Sequence, residues 1–128
     1  MKIRIHKNSI RLRLSQTEVD QIGKGDSLVE NLCFPDEETP DFCYALVTNK
    51  EIPSISAGFS GRKIEIKVPS TDASNWAHSD QVGLEALLKI NDKGDLHISI
   101  EKDFQCLHKR PGEDETDNFP HPDLGTSG

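Results

Sequence analysis

Cys106, His108 and His121 combine a thiol with two imidazoles, a set that zinc accepts when a fourth ligand completes a tetrahedron. Asp114 or Asp117 supplies a nearby carboxylate. The spacing is loose for a zinc finger, so the plainer reading is a thiol close to two surface histidines. Arg11, Arg13, Lys63 and Lys67 suggest a different chemistry. Their guanidinium forks and ammonium groups recur at alternate positions and would engage phosphate oxygens if a sheet closed around them, with Glu65 between the two lysines. Alternating cations are equally the ordinary wet face of a sheet. His78, Asp80 and His97 are types that transfer protons near neutral pH. No serine elbow, phosphate-binding glycine loop or Cys-x-x-Cys pair accompanies them, and no catalytic residue is assigned.

These side chains must be positioned by short elements. Ile10, Leu12 and Leu14 alternate with Arg11 and Arg13, as in a strand with one apolar face. Ile3 and Ile5 have the opposite parity, which requires a turn at Lys7-Asn8 or a bulge. Ser15 to Glu18 reads SQTE, the spacing of a capping box, with Leu14 and Val19 at the staple positions. A short helix therefore begins there and stops at the GKG of residues 23–25. Strands follow in DSLVENLCF and FCYALVT, on either side of a proline- and acid-rich loop. ISAGFSGRKIEIKV reads as a hairpin turning at Ser60-Gly61, with Ile55, Ala57 and Phe59 inward. Ser70 or Thr71 caps a second short helix that buries Ala73, Trp76 and Ala77. Val82 to Ile90 and Leu96 to Ile100 form a last hairpin. Beyond it the periodicity ends, and Phe104, Leu107 and Phe119 are the apolar anchors left in a tail rich in acids, Pro and Gly.

This pattern predicts an α+β fold, mainly antiparallel β: a small curled sheet, barrel or sandwich of about six or seven strands, two short helices and an irregular C-terminal tail. It places one domain over residues 1–109 and a mobile tail over 110–128. No internal repeat is visible.

The net charge of −7 argues against a general nucleic-acid binder, whose affinity would come from neutralising phosphates. Charge is unevenly spread. Residues 1–14 hold five Lys or Arg and no acid, and residues 101–128 hold seven acids against three Lys or Arg. Glu113, Asp114, Glu115 and Asp117 could thus lie across Arg11 and Arg13, or serve solubility alone. Cys33, Cys43 and Cys106 fit reduced thiols better than a disulfide framework. With no apolar run of membrane-spanning length, the expectation is a soluble, cytoplasmic chain.

The blocks NSIRLRLSQTEVDQIGKGD, VPSTDASNWAHSDQVG and EKDFQCLHKRPGEDETDNFPHP together resemble a family of small, acidic, uncharacterised bacterial proteins, over about Lys2 to Pro122. The resemblance implies a bacterial single domain and brings no activity, cofactor or site residue. The residues themselves favour a noncatalytic binding or accessory module that meets a protein partner through an exposed sheet edge, the charged strand or the tail, or a second copy through a sheet edge. The alternatives are a binder or hydrolase of a phosphorylated small molecule, using Arg11, Arg13, Lys63 and Lys67, and a zinc protein using Cys106, His108 and His121.

Overall fold

A computed structural model of the chain describes residues 1–35, 41–104 and 116–120. The chain forms two compact units, one built from its ends, Met1–Val19 with Val82–Gly128, and one from its middle, Asp20–Gln81.

In the unit of the ends, β1 (Lys2–His6) and β2 (Ser9–Leu14) form a hairpin around Lys7 and Asn8, and β7 (Gly83–Lys89) and β8 (Asp95–Lys102) form another. The two-residue turn sets Ile3 opposite Leu12 and Ile5 opposite Ile10. That is how the two parities meet on one face. The hairpins join through their second strands, which run parallel with Ile10 opposite Ile98 and Leu12 opposite Ile100. The sheet order is β1-β2-β8-β7. Leu12, Leu14, Ile98 and Ile100 are buried on its apolar face. Leu84 and Ala86 extend that face, while Val82, expected in the hairpin, lies before β7 and is exposed.

The middle unit repeats the plan. β3 (Leu28–Leu32) pairs with β4 (Phe42–Asn49), β5 (Ser56–Ser60) pairs with β6 (Lys63–Pro69), and the second strands β4 and β6 run parallel in the centre. The order is β3-β4-β6-β5. Its core is Leu46, Ile66 and Val68 on the strands with Ala73 and Trp76 of α2 (Ser70–Ala77), which packs on β4 and β6. Phe59, read as inward, is 68% exposed at the far end of β5.

The expected single curled sheet, barrel or sandwich is therefore overturned, although four of the six described strand pairings are antiparallel, as expected. Among the described residues, eight strands lie in two separate, open, four-stranded mixed sheets, each with a parallel pair at its centre. The expectation failed because local turns specify hairpins, whereas the pairing of β2 with β8 joins residues from the two ends of the chain. The order strand-strand-helix-strand-strand occurs twice, and each half gives one hairpin to each sheet.

The helices follow the central strands. α1 (Gln16–Gly23) begins with the predicted box: the Ser15 N–H donates to Glu18 Oε1 at 2.9 Å, and the Glu18 N–H reaches Ser15 Oγ at 3.4 Å. Leu14 and Val19, the staple pair, are both buried. At its other end Asp26 N–H donates to Gln21 O and Gly25 N–H to Ile22 O, a Schellman pair made possible by Gly25 at φ +94°. For α2, Pro69 rather than Ser70 or Thr71 stands at the N-cap, and no side chain caps it. Proline suits that place because its fixed φ ends the strand.

Gly23 answers to space. A Cβ there would stand 2.5 Å from Ala77 Cβ, so α1 approaches α2 closely only because this carbon is missing. Gly23→Ala should destabilise the protein by about 1–3 kcal/mol in urea unfolding. Adding Ala77→Gly should recover part of that loss, leaving the double variant more stable than the sum of the two single changes predicts.

Candidate functional site

The cationic rows sit where alternation places them, on the polar faces of the sheets. Arg11 and Arg13 on β2 share the carboxylate of Glu101 on β8, with Nε to Oε1 distances of 3.3 and 3.9 Å. Lys63 and Lys67 on β6 flank Glu65 at 3.4 and 3.7 Å. The four residues thus belong to two different sheets, and each pair already has a carboxylate between its members. All four side chains are about half exposed, so each ion pair contributes about 0–1 kcal/mol.

His97 lies on β8, 3.9 Å from Glu85 of β7. His78 ends α2, with Nδ1 2.7 Å from Ser74 O. The two histidines fall in different units, one on a strand face and one at a helix end. Cys33 and Cys43 are free thiols. Cys33 donates to Asp41 Oδ2 at 3.5 Å, and this hydrogen bond, with the negative charge behind it, pushes the thiol pKa up. A thiol so held is a poor nucleophile. Cys106, His108 and His121 lie outside the described residues, as do Glu113, Asp114 and Glu115. Among the described residues no group of three His, Cys, Asp or Glu side chains is placed to hold a metal.

Sequence reasoning expected an exposed sheet edge without saying which strand forms it, and among the described edges β5 stands out. Gly61 and Arg62, at φ 55° and 62°, make a type I′ turn between β5 and β6. The closing pair Ser60–Lys63 of such a turn is hydrogen bonded, and alternation makes Gly58–Glu65 hydrogen bonded as well. The N–H and C=O groups of Ala57 and Phe59 therefore point away from β6, along an edge that no other described strand pairs with. The other edges carry charges: Lys2 and Arg4 on β1, Glu30 on β3, Glu85 and Lys89 on β7. β5, SAGFS, has none and no proline, so it lacks the usual protections of an edge. Phe59 stands exposed on one face of it. On the other face Ser56, Gly58 and Ser60 join Lys63, Glu65 and Lys67 around a shallow depression of about 210 Å³. The signal was present in the sequence as a charge-free strand, but a buried strand reads the same way.

A second depression, of about 510 Å³, lies at the end of α1 and the start of α2, where Lys24, Lys50, Thr48, Ser70 and Ser74 line it.

The model of a family of unknown function, DUF7009, matches residues 1–123. The chain belongs to that family. No curated protein and no solved structure matches the DUF7009 chain. No described helix of it is long and apolar enough to cross a membrane.

Asp117, named above as a possible oxygen ligand, instead meets the start of α1. The hydroxyls of Ser15 and Thr17 donate to its carboxylate, which lowers its pKa below the ordinary aspartate range. Gln16 N–H donates to Asp117 O at 2.9 Å and Gln16 Nε2 to Asn118 O at 3.0 Å. Next to it, Phe119 packs on Phe104 with ring centroids 5.8 Å apart, under Lys102 Nζ at 5.4 Å. A lowered folded pKa stabilises above the unfolded value of about 3.9 and is lost as pH falls through the folded one. The Phe119 ring resonances should therefore hold steady from neutral pH to about pH 4 and move toward unpacked values below it. In Asp117→Asn the acid-dependent step should be absent.

Proposed function

We propose that this chain is a binding module that takes an extended partner strand on the open edge of β5. The observation that carries the reading is the outward pair Ala57 and Phe59 on a strand with neither charge nor proline. Strand addition would satisfy four backbone groups at once, and these give affinity independent of sequence. Selectivity would come from the two faces. Alternate side chains of the partner fall beside Phe59 and Ala57 on one face, which favours apolar residues. Those between them fall beside Ser56, Ser60 and the Lys63–Glu65–Lys67 row, which favours polar ones. The partner segment is thus an alternating strand.

Proline at position 57 removes one outward N–H and no ladder bond to β6, so it blocks the edge while sparing the sheet. Short peptides selected from a display library on the parent protein should lose at least about tenfold in affinity for Ala57→Pro, whose thermal unfolding should stay close to the parent's. Selected peptides that bind both proteins equally would sink the reading.

A further inference from the structure

We infer that the strand taken up by β5 is the β5 of a second copy, the two running antiparallel about Gly58; this rests on the strand-addition reading above. Antiparallel pairing about Gly58 sets Ala57 of each copy opposite Phe59 of the other, and Ser56 opposite Ser60. The residues whose N–H and C=O point outward are then directly opposed, as a hydrogen-bonded pair requires, and the two-fold axis repeats the pair. Four backbone hydrogen bonds result. A pairing shifted by one residue would set outward groups against inward ones and make none.

The side chains suit the same register. Phe59, the large exposed residue of the strand, meets the methyl of Ala57, so bulk faces a small side chain twice across the axis. The exposed phenyl ring gains cover on the apolar face. On the other face serine meets serine and Gly58 meets its own mate. No charge on β5 is brought against its copy, which matters because a two-fold axis sets every residue near it against its like. The edge strands β1, β3 and β7 would each oppose like charges in some self-pairing, and β5 does not.

Five residues of edge bury less than the roughly 1,600 Å² of a standard interface, so the association is weak and depends on concentration. Gly58 supplies the test. Nothing lies within 4 Å of a Cβ built on it, and its backbone needs no positive φ, so side chains fit there in the single copy. In the pair, the same side chains meet across the axis. The full chain, followed by sedimentation equilibrium from micromolar to near-millimolar concentration, should pass from monomer to dimer. Gly58→Asp and Gly58→Lys should each weaken dimerisation by about tenfold or more, through like charge at the axis. Their equimolar mixture should regain it as a heterodimer, which a merely unfolded variant cannot do.

A parent protein that stays monomeric throughout overturns the second copy as occupant. So does a dimer that both variants leave unchanged. Binding of library peptides that Ala57→Pro abolishes would, in the first case, leave the edge reading standing with a different partner. Loss of both would remove the edge reading as well.

Discussion

Everything in this chain depends on how four hairpins are joined: in each sheet, two of them meet through their second strands, side by side and parallel. A hairpin alone is marginal in water, because it buries little and leaves both edges open. Joining two of them gives each central strand two neighbours and puts the branched aliphatic residues of those strands in the middle, where Leu12 and Ile100, or Leu46 and Ile66, are fully buried. The cost of this arrangement is loop closure. The parallel pairing of β2 with β8 forms only after the intervening chain has been ordered, and the packed apolar face must offset that entropy.

The same joining decides which strands are left as edges. Because β4 and β6 occupy the centre of their sheet, β3 and β5 are confined to its margins. Charge guards β3. On β5 the residues are small or aromatic and uncharged, and the type I′ turn at Gly61 and Arg62 fixes which of its backbone groups face outward. The proposed binding surface therefore follows from the topology together with a single turn. Cationic residues, which draw attention in the sequence, are by contrast matched within their own sheets by Glu101 and Glu65.

Much of the local structure was legible from residue types. The SQTE box, the Lys7-Asn8 turn, the alternation of β2, β6 and β8, and the inward placing of Ala73 and Trp76 all rest on interactions within a few residues, and sequence spacing records those directly. Pairing over long range leaves no such record. The alternation of Ile10 to Leu14 says that one face is buried and nothing about which strand lies beside it, so an antiparallel barrel and two mixed sheets look alike. The misreading of Phe59 has the same origin: alternation gives it a face, but its position at the end of an edge strand leaves that face uncovered. The GKG stop was legible too, since α1 ends at Gly23 and Gly25 carries the positive φ, but nothing in the spacing said that Gly23 makes room for Ala77. The candidate site was the least legible part, since an edge is defined by the absence of a neighbour.

The central claim is the parallel joining of the hairpins, and backbone proton contacts measured by NMR on the isotopically labelled chain test it most directly. The account predicts cross-strand contacts in parallel register, linking Ile10 with Ile98 and Leu12 with Ile100, and Tyr44 with Ile64 and Leu46 with Ile66. Contacts showing β2 and β8, or β4 and β6, running antiparallel or unpaired would contradict it, and would leave β5 without its place at the margin.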